Sequence, residues 1–335
     1  MTCREADVRV LVAGASGVLG RHMVKALKAA GHDVVGLGRT PGGGRHVREL
    51  GAGWLAADLL DERALLAAVD GTGLDAVIHA ATALRKAPVR YRDMDATNAL
   101  RTQGTANLLK AARAAGATRF VVETMVPGYG FGDWGDHVIT EDDTPYGPTG
   151  RNRALEAIIA GMRSKEEQAF AADGIEGVAL RYGFLYGEGF GVGGTDAFVT
   201  MLNKRRLPVA NGGVVPWTDL ADAASAAVAA LERAPAGAAY NIVDNEAAGV
   251  SEYTRYLVKA FGTPRPPKVP LWALRPIPYL HAMLKTTMRV SNAKAARELG
   301  WKPAYPTYRD GVTALADHRR RPDPALDLRR RPTSW

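Results

Sequence analysis

The residues with the plainest chemistry are three glycines near the amino end. Gly14-Ala15-Ser16-Gly17-Val18-Leu19-Gly20 follows the apolar run Val8–Ala13 and opens a segment with helical spacing of Val18, Leu19, Met23, Val24 and Leu27. There Gly14 permits a tight turn, Gly17 lets backbone approach a pyrophosphate, and Gly20 lets the helix lie close to the strand. The first turn, from Ser16 through Val18 and Leu19, offers free N–H groups and a partial positive charge to phosphate. A strand before and a helix after are the context this pattern needs, so a dinucleotide is its expected ligand. At the end of the second strand the chain reads Val35-Gly36-Leu37-Gly38-Arg39-Thr40. Glycine stands where an acid would hold a ribose 2′-hydroxyl, and the Arg39 guanidinium suits a 2′-phosphate. Arg21 adds a second cation, and NADP is expected over NAD.

Other chemistry is thinner. Thr124 and Tyr129 fall at and just past the end of the fifth strand, on the carboxyl edge where such sheets bind ligands. Tyr182 and Tyr186 leave a later strand at the same edge. Tyr146 lies in Thr144-Pro145-Tyr146-Gly147-Pro148, after Glu141, Asp142 and Asp143. For each tyrosine, packing is the alternative role. The seven histidines show no ligand spacing, so no metal is expected. Gly14-Ala15-Ser16-Gly17 has the wrong spacing for a nucleophile elbow.

These groups require a scaffold of alternating strands and helices, and the first half reads that way. Strands are expected at Val8–Ala13, Asp33–Gly38, up to Ala57, Leu74–His79 and Arg119–Thr124, with helices at Gly17–Ala30 and Met94–Ala115. Repeated units of this size force right-handed crossovers and an α/β Rossmann-type doubly wound parallel sheet. The second half holds a strand at Val178–Tyr182, a glycine-rich loop, helices near Asp196–Arg206, Asp219–Arg233 and Ser251–Phe261, and a strand at Ala239–Val243. A Pro-rich stretch, Pro264–Pro278, precedes two last helices. The expected organisation is a nucleotide-binding domain over 1–182 with 214–245 returning to it. A smaller, mostly helical substrate cap takes 183–213 and 246–316, and a basic tail takes 317–335.

The 335 residues are 47% hydrophobic and 23% charged, which excludes disorder or collagen-like repetition as a description of the whole chain. The single cysteine, Cys3, excludes a disulfide framework and fits a reducing compartment. With no signal-peptide core and no apolar run near the ~20 residues of a spanning helix, a cytoplasmic protein without a membrane partner is expected. The net charge of +8 includes a local +3 in the tail, six arginines against three aspartates after residue 316. It reads as a solvated tail rather than a nucleic-acid site, and the remaining charge suits an anionic cofactor. A homodimer is compatible with the sequence.

The pieces in their order resemble the extended short-chain dehydrogenase/reductase family, the epimerase/dehydratase type. They are GASGVLG, Ala57-Asp58-Leu59, Ala76-Val77-Ile78-His79-Ala80-Ala81, Asn98, Gly104-Thr105-Ala106-Asn107, Leu180-Arg181-Tyr182-Gly183, Asp222-Ala223-Ala224, Tyr240-Asn241-Ile242-Val243 and Glu298-Leu299-Gly300-Trp301. The resemblance implies that Asp58 accepts from the adenine amino group and Leu59 packs beside its ring. It also implies that Ala80, Ala81 and Thr82 line the path of the ribose and pyrophosphate, and that Asn98 braces the sheet beneath the site.

The family's proton chemistry rests on a tyrosine followed four residues later by a lysine, and this chain departs from it. None of the 11 tyrosines has lysine at that spacing; Tyr305 comes nearest, with Arg309. Aligned through Glu167-Gln168 and Leu180-Arg181, the tyrosine slot falls near Ile159 and the lysine slot near Arg163. The chain looks closest to a divergent subgroup with LRYG and no dyad. A guanidinium at Arg163 supplies charge but is a poor proton shuttle. The candidate chemical groups are therefore Thr124, Tyr129, Tyr146, Arg163 and Tyr182. The expected activity is NADP-dependent oxidoreduction or epimerisation of a small metabolite with a non-standard proton donor. The alternatives are a cyclase, dehydratase or isomerase with a structural nucleotide, and a nucleotide sensor without catalysis. Tyr186, Trp217, Trp272 and Tyr279 suggest an apolar or ring-bearing substrate, or core packing.

Overall fold

The structure, a computed structural model, describes residues 8–144, 152–189 and 191–320. The amino-terminal half builds β1 (Arg9–Ala13), α1 (Val18–Ala30), β2 (Asp33–Gly38), α2 (Pro41–Glu49), β3 (Gly53–Ala56), α3 (Glu62–Val69) and β4 (Ala76–His79). Then come α4 (Asp95–Ala99), α5 (Thr105–Ala114), β5 (Arg119–Met125), β6 (Asp133–Ile139), α6 (Arg153–Phe170) and β7 (Glu176–Tyr182). The remainder contains β8 (Phe184–Tyr186), α7 (Thr195–Asn203), β9 (Val209–Ala210), β10 (Val214–Asp219), α8 (Leu220–Arg233), β11 (Ala239–Ile242) and β12 (Ala247–Gly249). It ends with α9 (Val250–Phe261), β13 (Lys268–Val269), α10 (Pro278–Lys285), β14 (Thr287–Val290), α11 (Ala293–Glu298) and α12 (Tyr308–Arg320).

Seven strands form one parallel sheet in the order β11-β7-β5-β4-β1-β2-β3. Strand order reverses between β1 and β4, which opens the crevice where ligands of such sheets bind. One face is covered by α1 and α8, packed on Val10, Val12, Val121, Val178, Leu180 and Tyr182. The other is covered by α3, α5 and α6, packed on Leu11, Val77, Phe120 and Val122. Period-2 alternation along each strand divides the two cores. Beyond the sheet, β8, β10 and β12 form a three-stranded sheet, while β6 pairs with β14 and β9 with β13. Tyr186, Trp217, Tyr253 and Tyr308 interlock in a second apolar core, with Trp217 stacked on Tyr253 at 4.2 Å between ring centroids.

Three expectations change, and α2 adds a helix to a stretch that carried none. Met94–Ala115 is not one regular helix: Leu100–Gly104 is a π-helical turn between α4 and α5. Helix α2 forms on Pro-Gly-Gly-Gly because Pro41 starts it and Thr40 caps it, accepting from the Gly43 N–H. The carboxyl end carries three helices rather than two. Residues 317–320 of the expected tail continue α12, with Arg319 ion-paired to Asp196 and Arg320 to Asp317; the rest of the tail lies outside the described residues. No helix among the described residues is long and apolar enough to cross a membrane.

Where the two sheets meet, three carboxyls are buried. Asp219 caps α8 through the Ala221 N–H, and Asp222 accepts from the N–H groups of Ala304 and Tyr305. Asp244 accepts from the Glu246 N–H through one oxygen, while its Oδ2 lacks a partner. Burial pushes Asp219 up to about 7 and Asp244 up to about 8, and raises Asp222. The folded protein thus holds protons that the unfolded chain sheds near pH 4. This contribution to stability is complete at acid pH and is lost as pH rises through about 8. Thermal melts are expected to fall between about pH 5 and pH 9, and Asp244→Asn, which keeps the Glu246 bond, flattens the fall. A D244N profile parallel to that of the wild type would overturn this.

Candidate active site

The phosphate cradle follows from close backbone packing. Gly14 has φ +90°, and a Cβ on it would lie 2.8 Å from the Ala80 carbonyl oxygen. A Cβ on Gly20 would lie 2.1 Å from the Gly14 oxygen. So α1 seats on the turn, and the turn seats on Ala80 and Ala81 after β4. Gly17 is the exposed N-cap of α1, without a side chain to cover the free N–H groups, and no acid stands in the first turn. Ser16 packs on Gly43 of α2, and the glycine-rich loop folds back so that Gly189 and Gly191 meet the Val18 side chain. His22 fastens that loop through the Glu188 carbonyl at 2.9 Å. Leu19 packs against the adjacent core. The geometry fits a pyrophosphate: an unobstructed helix N-terminus beneath backbone with no room for side chains.

Farther along the crevice, Arg39 lies 3.2 Å from Asp58, both partly exposed. Asp58 also caps its own turn at the Leu60 N–H, and Leu59 is buried in the core with Leu37 and Leu100. Thr82 and Thr97 share a hydrogen bond at 3.3 Å. Asn98 packs on Gly161 of α6, donating to the Ala157 carbonyl and accepting from Arg101.

Toward the carboxyl edge of β5, β7 and β11 lies a buried polar chain. Thr124 donates to Glu166 at 2.7 Å, and Glu166 pairs with Arg181 at 2.7 Å. Arg181 donates to the Tyr129 hydroxyl, which donates to the Asn241 side chain. The Asn241 N–H donates to Glu141, which burial holds above its ordinary range. Thr124 and Tyr129 are thus brought into one network, each with its proton engaged, and burial raises Tyr129 further. Tyr182 is not brought there: it faces α8, donates to the Ala223 carbonyl, and belongs to the core. Arg163 is half-buried on α6, and Tyr146 lies outside the described residues. Tyr186 and Trp217 also belong to a core, and Trp272 is 66% exposed; of that aromatic set only Tyr279 packs among residues bordering the crevice.

Sequence reasoning missed Lys165. It is 0% exposed on α6, and its Nζ donates to the His79 carbonyl at 2.9 Å and to Glu123 at 3.1 Å. Burial pulls this ammonium below the usual lysine range, against the opposing pull of Glu123. His79 is neutral because burial drives it well down: Nε2 donates to the Leu100 carbonyl at the π turn, and Nδ1 accepts from the Ala81 N–H. Lys165 therefore braces the turn on which Gly14 rests. The available signal was the stripe Leu155, Ile158, Ile159, Met162, Lys165, Glu166 and Ala169, where two charges interrupt an apolar helix face. Ile159, at the expected tyrosine slot, is fully buried among Met94, Leu155, Ile158, Met162 and Tyr279. Among the described residues, no group of His, Cys, Asp and Glu is arranged to hold a metal ion.

Residues 10–243 match the NAD dependent epimerase/dehydratase family. A 3-diazoavenalumate denitrifying reductase of a Streptomyces sp is 36% identical over 318 residues, covering 91% of this chain and 99% of that protein. A 2-alkyl-3-oxoalkanoate reductase of Stenotrophomonas maltophilia is 30% identical over 282 residues, covering 77% of each. The solved UDP-glucose 4-epimerase of Thermus thermophilus, in complex with NAD, superposes with a TM-score of 0.75 at 24% identity, over 93% of this chain and 99% of that one. With the glycine turn, the seven-stranded sheet and these matches in agreement, the chain belongs to the NAD-dependent epimerase/dehydratase family, NAD(P)-dependent enzymes of the extended short-chain dehydrogenase/reductase type.

Proposed function

We propose that the chain is an NADP-dependent reductase whose substrate is a small ring-bearing electrophile that takes up hydride without a proton from a tyrosine–lysine pair. The observation that carries this reading is the apolar wall around Ile159, together with the engaged hydroxyl protons of Thr124, Tyr129 and Tyr182. A bound nicotinamide dinucleotide supplies the hydride. The protein's own residues hold the phosphates at Gly14–Gly20, brace the β4 turn through Lys165, and exclude water with the α6 stripe.

An acceptor that is already cationic suits such a site. An arenediazonium ion accepts the hydride pair, loses dinitrogen and ends with hydrogen on the ring carbon, so that ArN2⁺ and NADPH give ArH, N2 and NADP⁺ with no further proton. The Streptomyces relative's name, a reductase with a diazo substrate, supports this class. The Stenotrophomonas relative's name supports a ketone instead, whose alkoxide takes its proton from water. Purified protein is expected to oxidise NADPH with a diazo-arene acid and to release one dinitrogen per NADPH. Bound NADPH that neither diazo-arenes nor ketones consume would overturn the reading.

NADP preference rests on packing at Gly38. A Cβ there would lie 2.5 Å from the Trp54 ring, so the acid that selects NAD has no room. Among the described residues Arg39 pairs with Asp58, both partly exposed, and keeps donors for a 2′-phosphate. A charge-assisted contact is worth about 1.5–3 kcal/mol, so Arg39→Ala is expected to weaken NADPH binding about 10- to 100-fold and leave NADH nearly unchanged. Tighter binding of NADH than of NADPH by the wild type would refute the preference.

A further inference from the structure

A cleft of about 380 Å³ opens between the start of β6, the start of α6 and the cap helix α10. Its volume falls within the range of small-molecule sites, about 300–1,000 Å³. One wall is aromatic: Tyr91 and Phe131 line it, each held edge-on against the buried Tyr279 with ring centroids 6.1 Å apart. The same apolar cluster contains Met125 at the end of β5 and Leu155, Ile158 and Ile159 of α6, which joins the cleft to the carboxyl edge of the sheet.

The opposite wall is cationic. His281 and Lys285 lie four residues apart on α10 and share a face, and Arg275 lies just ahead of that helix. Among the described residues, neither Arg275 nor Lys285 is ion-paired to a carboxylate. The carboxylate on the lining, Asp133, accepts from the Gly135 N–H of its own turn. Tyr91 accepts from the Asn152 amide at 2.8 Å, which leaves its hydroxyl proton to point at a ligand. With two cations, Arg275 and Lys285, against the one lining carboxylate, Asp133, a cleft with aromatic edges recognises a flat ring carrying an anionic group.

We propose that this cleft seats the substrate and that the substrate is an aromatic carboxylate, its ring against Tyr91 and Phe131 and its carboxylate on Arg275 and Lys285. This rests on the reductase reading for its role, but the binding itself is testable alone. The probes are cinnamate and the uncharged cinnamamide, titrated calorimetrically into protein with and without NADP⁺. Cinnamate is expected to bind at least tenfold tighter than cinnamamide. Arg275→Ala with Lys285→Ala, both exposed positions, is expected to remove that advantage while NADP⁺ affinity and the melting temperature stay unchanged. Equal binding of the two probes, no binding of cinnamate by the wild type, or a double variant that keeps the advantage would each overturn the proposal. Cinnamate binding in protein that does not take up NADP⁺ would leave the acid site standing and strike down the reductase reading; NADP⁺ binding without cinnamate preference would do the reverse.

Discussion

Gly20→Ala is expected to lower NADPH affinity by about two orders of magnitude and to reduce the melting temperature. The new methyl would lie 2.1 Å from the Gly14 oxygen and 2.8 Å from the Ala15 Cα, and both are backbone atoms without a flexible end that can yield. Gly14 cannot retreat, because its own Cα faces Ala80 and Ala81 in a left-handed conformation with φ +90°. Either α1 lifts off the turn or the turn leaves the strand, and in both cases the N–H groups of the α1 N-terminus lose their aim. Overpacking of this kind costs about 1–3 kcal/mol, and each 1.4 kcal/mol of binding free energy is tenfold in affinity. Gly42→Ala is the matched control: only the end of Arg45 lies within 4 Å of the added methyl, and alanine favours the helix. Fluorescence titration with NADPH, beside thermal melts, separates the two. G20A binding within a few-fold of the wild type would show that the cradle does not hold the phosphates.

The contrast between these glycines explains how far the sequence was legible. A tight glycine turn is written in consecutive residues, so the turn at Gly14, Gly17 and Gly20 was legible from spacing, and so were the strands that become the parallel sheet. Groups assembled across the fold were harder. Tyr182 looked available at a strand end, yet it shares the face of Val178 and Leu180, and period-2 alternation places it against α8 while Arg181 faces α6. Asn98 was expected to brace the sheet, but its side chain meets α6 instead, packing on Gly161 and donating to the Ala157 carbonyl. Lys165 sits in Ser-Lys-Glu-Glu, which reads as solvated charge until the apolar stripe around it is traced. Acids and cations that pair from α6 to β5 and β7 share no local spacing, and only the packed helix shows which of them lie inside.

The Glu123–Lys165 pair supplies a test with an asymmetric outcome. Glu123→Ala is expected to be among the most damaging single changes, because it leaves an ammonium at 0% exposure without its paired carboxylate, hydrogen-bonded to the His79 carbonyl and with Glu166 the remaining carboxylate that acts on it. Removing one partner of a buried pair costs about 3–5 kcal/mol. Lys165→Met is expected to cost less: Glu123 is 16% exposed and can be hydrated from the crevice, while methionine fills the stripe beside Met162. Its chief effect falls on the cofactor, since the β4 turn loses its brace beneath Ala80 and NADPH affinity drops several-fold. The combined E123A/K165M variant is then expected to be more stable than E123A alone, a positive coupling that two independent losses would not give. The pH dependence separates this from simple loss of packing. In E123A the ammonium, already depressed by burial, loses the carboxylate that opposes the depression. The folded state then binds fewer protons than the unfolded chain, so the deficit of E123A narrows as pH rises toward the ordinary lysine range. Denaturant melts of the three variants between neutral and alkaline pH measure it. An E123A variant as stable as K165M, with a deficit that does not change with pH, would mean that Lys165 is not a buried cation held by Glu123.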